Sequence, residues 1–473
     1  MLIYWHTTVY FCKINFIKLF HKTGLYDIML ICIQLYSINI INERKNEMSS
    51  IVRKSIANGV SFNSIKEERF KTAKISVTMF VPLSKKTASA YALLPSVLAY
   101  SCKKYPTTIS LNRALSNLYG AGVGSYCRKM GESLALTLTV AGIDDRYTMN
   151  KEKISPELVE LLCEIIFNPN VENDAFVKND FEQCKRQLLE SIDGEFNEKR
   201  TYAISQMLSK MCEDEAFGIK RYGTREDVEK LTPQELYKVW KDVLVNSRIE
   251  IMMIGSSDTS LAEKVIEDKF SSFNRTQSEI KTELKTTVKN IKEKTENSDI
   301  AQAKLVMGFR TAAAQPENDS IPMSLTVAIL GGTPSSKFFV NVREKLSLCY
   351  YCAARYDKLK GIVIVDSGVE KENIDRTIKE IKNQLGEMKK GNITEFEIES
   401  AKLSLINSYK SVQDTVTGTE SWYINQMLDN EILTVEQAIK KLNAVDKDTI
   451  VKLANTITLD TIYMLQPKDC KEE

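Results

Sequence analysis

Arg343 and Tyr350 are the two side chains whose types and spacing most suggest a binding chemistry. They stand in the run Gly331-Gly332-Thr333-Pro334-Ser335-Ser336-Lys337-Phe338-Phe339, which continues through Val342-Arg343-Glu344-Lys345-Leu346-Ser347-Leu348-Cys349-Tyr350-Tyr351. Arginine offers a planar fork of donors and tyrosine a rigid phenol, so the pair could donate to the carbonyls or carboxylate of an extended peptide. The plainer reading makes Arg343, Glu344 and Lys345 a surface salt-bridge cluster on an exposed helix end. The glycines and Lys337 invite comparison with a phosphate loop. That loop needs Gly directly before Lys-Ser/Thr, so that backbone amides close around phosphate. Here Ser336 precedes Lys337 and Phe338 follows it, so the glycines are expected to allow close backbone approach instead.

Other chemistries are limited by what the sequence lacks. The only histidines are His6 and His21, and none follows Met48. A histidine-free body runs neither a Ser-His-Asp nor a Cys-His mechanism, and it lacks the imidazoles that most catalytic zinc sites use. A carboxylate Mg²⁺ site has Glu182, Glu190, Asp193 and Glu195 as candidates. Their interleaving with Lys185 and Arg186 reads instead as a solvated helix face. Eight of the ten cysteines follow Met48 as scattered residues, the pattern of buried thiols in a reducing cytoplasm. Cys349 and Cys352 are the one close pair. On a regular strand, residues three apart point to opposite faces, so the two are not expected to share a metal.

Residues 1–47 differ from the rest: rich in Ile, Tyr, Phe, Asn, Leu and Lys, without helical or alternating order. The apolar run Ile28–Ile41 is interrupted by Gln34, Ser37 and Asn39 and falls short of the roughly 20 apolar residues that span a bilayer. We read residues 1–47 as a mis-assigned upstream extension with the start at Met48, against the rival of a membrane-associating leader. Removing them takes away five basic and three acidic side chains and leaves 59 of each. A neutral chain without a basic block gives no electrostatic case for nucleic-acid binding.

At 473 residues, with 43% hydrophobic and 27% charged residues, the chain has the composition of a soluble protein of more than one domain. Strands are expected at Val60–Ile65 and Lys74–Val81, a helix near Ala88–Ser101, a helix-to-turn segment over Leu111–Gly120, and strands at Val123–Tyr126 and Ser133–Val140. Ser155-Pro156-Glu157 opens a helix that stops before Asn168-Pro169. Long helices should cover Asn173–Asn197 and Thr201–Cys212. The capping box Thr232-Pro233-Gln234-Glu235 precedes a helix and the strand Ile249–Ile254. Residues 276–299, rich in Lys, Glu and Thr, read as a charged linker holding one short helix or strand. The order then recurs: strand Ala303–Phe309, helix Ser320–Leu330, strands near Tyr350–Tyr356 and Gly361–Ser367, a helix over Lys371–Lys389, a second capping box at Thr394–Glu397, and a terminal helix and strand near Lys447–Thr456 and Thr461–Leu465. Arg113…Leu118-Tyr119 echoes Arg343…Leu348-Cys349-Tyr350. The pattern predicts an α+β protein of two similar domains of about 200 residues, at 48–275 and 300–473, each a sheet with helices packed on it.

At this point the sequence resembles a known family. Gly331-Gly332…Ser336-Lys337-Phe338-Phe339…Val342-Arg343-Glu344-Lys345…Leu348-Cys349-Tyr350-Tyr351 is similar to the second-domain signature of pitrilysin-like (insulinase-type) zinc peptidases. Lys104-Tyr105-Pro106, Leu118-Tyr119-Gly120, Asn168-Pro169 and Gly218…Tyr222-Gly223 extend the likeness over most of the chain from Met48 to Pro467. The resemblance implies two pitrilysin-like domains, with a His-x-x-Glu-His zinc motif at Ala92-Leu93-Leu94-Pro95-Ser96, where Ala92, Pro95 and Ser96 replace all three functional residues. A third ligand, a glutamate expected within Glu182–Ser191, then has nothing to complete. The peptide-binding Arg and Tyr of the family do match, at Arg343 and Tyr350. What this implies is a cytoplasmic, substrate-binding and regulatory subunit of a heterodimeric zinc peptidase, inactive alone. Zinc would sit only in a paralogous partner with an intact motif, and the chain would have no stable membrane insertion. The likeness extends to bacterial proteins named for association with aminopentanol modification of elongation factor P. The alternative is a scaffold with the same fold and no role in proteolysis, for example one linked to that modification.

Overall fold

The computed structural model describes residues 51–271, 273–314 and 320–468. The proposed start at Met48 and the two histidines lie outside the described residues.

Six strands build the first sheet: β1 (Val52–Ala57), β2 (Val60–Lys66), β3 (Thr72–Pro82), β4 (Gly122–Met130), β5 (Ser133–Ile143) and, after the two-residue strands β6 (Val171–Glu172) and β7 (Ala175–Phe176), β8 (Arg248–Gly255). The second contains β9 (Lys292–Ser298), β10 (Ala303–Arg310), β11 (Cys349–Asp357), β12 (Ile362–Val369) and β13 (Thr458–Pro467). The strand orders are β1-β2-β8-β3-β5-β4 and, read from its far edge, β9-β13-β10-β12-β11. Each sheet has one parallel pair, β2 with β8 and β9 with β13, and all its other pairs are antiparallel. With β1 set aside, the two sheets share one wiring, so the fold is the duplicated α+β arrangement that the sequence pattern predicts. β9 lies inside the stretch read as a linker. Its alternating charges suit an edge strand, where Lys and Glu discourage pairing with other chains.

The first half carries helices α1 (Ala88–Tyr100), α2 (Thr108–Asn117), α3 (Ser155–Phe167), α4 (Lys178–Asp193), α5 (Lys199–Met211), α6 (Arg225–Lys230), α7 (Pro233–Asn246) and α8 (Ser260–Ser271). The second carries α9 (Ser320–Val327), α10 (Ile374–Lys389), α11 (Glu395–Ser411), α12 (Val416–Ile424), α13 (Val435–Asn443) and α14 (Lys447–Thr456). Both expected capping boxes form, at Thr232 with Glu235 and at Thr394 with Glu397. The long helix expected from Asn173 begins later, at Lys178. Asn173 and Asp174 take positive φ (51° and 57°) to turn the β6–β7 hairpin, and no helix passes through that conformation. No described helix is long and apolar enough to cross a membrane.

One core lies under the helices of each half. Two further clusters join the halves by an exchange of helices. From the first half, α5 sets Ala203, Met207 and Met211 against Val306, Ile362, Tyr463 and Leu465 of the second sheet. From the second, α12 and the turn after it set Tyr423, Ile424 and Met427 against Ile65, Phe80, Met252 and Ile254 of the first. Gly308 makes the first contact possible, because a Cβ there would lie 2.5 Å from Met207 Sδ and 2.6 Å from Met211 Sδ. A buried ionic chain runs along the same seam. Lys360, fully buried, contacts Glu132 (2.5 Å) and Glu215 (2.6 Å), and Arg310 contacts Glu215 and Asp460 (both 2.7 Å).

Candidate functional site

Gly331 has an extended-side φ of −160° with ψ 17°, which breaks the helix that would otherwise run on from α9. A Cβ on it would sit 2.8 Å from the backbone nitrogen of Ala354 and 2.5 Å from the Phe338 ring, so only glycine lets this turn lie against β11. Lys337, next in the run, points inward: its Nζ donates to Asn392 O (2.7 Å) and Glu397 Oε1 (2.9 Å). It therefore ties the run to the N-terminal cap of α11 and takes no part in a phosphate loop. Phe338–Lys345 is a π-helical segment, the wide helical form often found at functional positions.

From that segment the chain reverses through Leu346 and Ser347 into β11. Leu346 N donates to Asn341 O (3.2 Å) and Leu348 N to Val342 O (3.1 Å). Ser347 takes a left-handed φ of 49°, a costly conformation for a residue with a Cβ. The reversal places Arg343 and Tyr350 on one open groove of about 380 Å³, lined also by Glu344, Ser347, Glu370 and Asn373. The structure therefore brings the two predicted residues together. Arg343 lies over the Phe339 ring (4.6 Å) with Glu344 3.5 Å from its Nε, so the salt-bridge reading holds locally while its side chain stays 41% exposed. Tyr350 is 63% exposed. A hydrogen bond to the Glu370 carboxylate, and then its negative charge, hold the Tyr350 phenol above the usual tyrosine value.

Glu370, Asn373 and Ser347 were not singled out from the sequence. Register alone brings Glu370 in: β11 pairs with β12 with Cys349 opposite Val369, so the residue after β12 arrives beside Tyr350. The same ladder corrects the expectation for the cysteines. Between Cys349 and Tyr351 the register slips by one residue, so Cys349 and Cys352 lie on the same face, and both are buried in the second core.

The positions matching the zinc motif lie mid-way along α1. Ala92, Leu93 and Leu94 are buried apolar side chains, and Pro95 stands inside the helix, where it has no N–H to give the preceding turn. Of the acidic candidates, Asp193 pairs with Arg225 (2.6 Å) and Glu195 with Lys220 (2.8 Å), while Glu182 and Glu190 are exposed on α4. Among the described residues no group of three or more His, Cys, Asp or Glu is placed to hold a metal ion.

With this geometry in hand, similar proteins are informative. Residues 230–405 match the family described as the Peptidase M16 inactive domain. The chain is 29% identical over 413 residues to the probable inactive metalloprotease YmfF of Bacillus subtilis (strain 168), covering 87% of this chain and 97% of the relative. A conserved protein from Enterococcus faecalis V583 superimposes with a TM-score of 0.81 at 27% identity, over 90% of this chain and 100% of the other. The Peptidase M16 inactive domain from Pseudomonas fluorescens has the same fold, with a TM-score of 0.72 at 14% identity over 90% and 100% of the two chains.

Proposed function

The chain is a pitrilysin-like (M16) peptidase homologue of the inactive kind, and from that premise we propose that it is a substrate-binding, regulatory subunit of a heterodimeric zinc peptidase in the bacterial cytoplasm. The observation that supports this reading most is the groove that Arg343 and Tyr350 share beside the start of β11. Among the described residues β11 ends its sheet and pairs only with β12, so its outer backbone groups can receive an extended peptide as an added strand. Arg343 then donates to a peptide carbonyl or carboxylate. Tyr350, exposed beside Glu370, offers a phenol that can donate to a peptide carbonyl or accept a peptide N–H. Zinc, the attacking water and the general base belong to a paralogous partner with an intact His-x-x-Glu-His. This chain's part is to close a chamber and hold the peptide.

Purified alone, the chain should bind no zinc and cleave no peptide, and cleavage should appear with the partner. Arg343→Ala should lower kcat/KM by about tenfold or more, the size of losing one anchor worth ~1.4 kcal/mol, and Tyr350→Phe should lower it as well. Undiminished cleavage in both variants would overturn the assignment. A complex that forms but never cleaves would favour the scaffold role.

A further inference from the structure

The bulge at the start of β11 arranges a second chemistry at the floor of the groove. Cys349 lies opposite Val369, Tyr351 opposite Gly368 and Cys352 opposite Ser367, so Tyr350 is the extra residue and has no rung of its own. The residues they face, Val369 and Ser367, are two positions apart on β12, about 6.6 Å along that strand, and the bulge fits Cys349 and Cys352 to that spacing. Disulfides form across about 4.4–6.8 Å. The slip sets both side chains on one face of β11, opposite Val369 and Ser367, where each perturbs the ionisation of the other. Cys349 is 9% exposed and lines the groove, with Cys352 (6%) behind it.

We propose that Cys349 and Cys352 are an oxidisable dithiol, in which a hydroperoxide entering the groove oxidises Cys349 and Cys352 resolves it to a disulfide. In the first step the Cys349 thiolate attacks a peroxide oxygen. The O–O bond breaks, a sulfenic acid forms, and hydroxide or alkoxide leaves and takes up a proton. In the second step the Cys352 sulfur attacks the Cys349 sulfur; the S–S bond forms, the S–O bond breaks, and water leaves with the Cys352 proton. Two thiols lose two electrons and the peroxide is reduced to water and an alcohol, or to two waters. The environment favours this pair over the other thiols. The hydrogen bond from Cys352 lowers Cys349 to about 7, against the opposing effect of burial and with help from Ser367 and the Arg343 charge. Burial pushes Cys127, Cys163, Cys184 and Cys212 up to about 12. A disulfide would also fix the bulge that carries Tyr350; that consequence rests on the groove's proposed role, whereas the disulfide itself does not.

The test is to reduce the full chain, treat it with hydrogen peroxide near pH 7, alkylate it under denaturing conditions and map the peptides. The segment holding Cys349 and Cys352 should lose both alkylation sites and the mass of two hydrogens. This should proceed at least about tenfold faster than any loss at Cys102, Cys127, Cys163, Cys184 or Cys212. In Cys352→Ser, dimedone should capture a sulfenic acid at Cys349; in Cys349→Ser, residue 352 should stay reduced. Alkylation of both thiols after peroxide, or oxidation no faster than at the buried cysteines, would overturn the proposal. None of these readouts needs peptide binding, so this proposal and the one for the groove fail separately.

Discussion

Tyr350 and Glu370 show how one contact changes what a side chain can offer. A phenol held by a carboxylate is harder to ionise, because the phenolate would lose the hydrogen bond and face a like charge. Replacing Glu370 with Gln removes that charge, so the Tyr350 phenol should titrate at lower pH. The difference in alkaline ultraviolet titration between Glu370→Gln and Glu370→Gln/Tyr350→Phe, compared with the same pair on the native background, isolates the one tyrosine. An unmoved or raised value would separate the two residues. Gly331 carries a second prediction at this scale. Alanine there would press its Cβ on the backbone of Ala354, which cannot swing aside as a side-chain tip can. Overpacking of this kind costs about 1–3 kcal/mol, read as a lower urea midpoint. That Arg343 and Tyr350 come to one groove and that Gly331 must be glycine were legible in the sequence, because residue type and local spacing carried them. Glu370 and the facing cysteines were not, since each depends on the β11–β12 register and its one-residue slip.

Among the elements, the seam at Glu215 shows where charge and packing combine. Burial alone would raise the Glu215 carboxyl, but hydrogen bonds from Arg310 and Lys360 outweigh it and hold the group below the usual glutamate value. A depressed carboxylate adds stability that is present above the unfolded pKa and is lost as pH falls through the folded one. Glu215→Gln should therefore cost about 3 kcal/mol at neutral pH, as expected for leaving buried cations short of a partner. Its deficit against the native chain should shrink as pH drops below the ordinary glutamate value of 4.5. Urea unfolding at neutral and acid pH gives both numbers, and a deficit that grows with acid would reverse the sign argued here. Sequence periodicity located most strands and the capped helices that flank this seam, because those signals lie within a few residues. It placed the start of α4 too early and gave β9 only as one short helix or strand somewhere in the charged linker. A positive-φ turn at Asn173 and Asp174 and a charged edge strand both lack the apolar pattern on which such reading depends.

Across the whole chain, the two-domain pattern read from the sequence describes the wiring but not the way the halves depend on each other. α5 covers the second sheet and α12 the first, so each half leaves part of its sheet bare without the other. The ionic chain through Lys360 and Arg310 crosses the same boundary. Halves joined in this manner should unfold together, not as a clamp of two separable domains. Trp240 on α7, bonded to Ile166 O (2.9 Å), and Trp422 on α12, bonded to Leu433 O (2.8 Å), provide a reporter in each half. With Trp5 and one of these two replaced by Phe, the fluorescence transitions of the single-tryptophan chains should coincide in urea. Met207→Ala removes a fully buried side chain of the first half from its seat against the second sheet. The loss should be about 2–5 kcal/mol. Both reporters should move to lower urea by the same amount. Separate transitions in the native background, or a Met207→Ala shift confined to Trp240, would mean that the exchanged helices do not couple the halves and that a hinge between them is available to the groove.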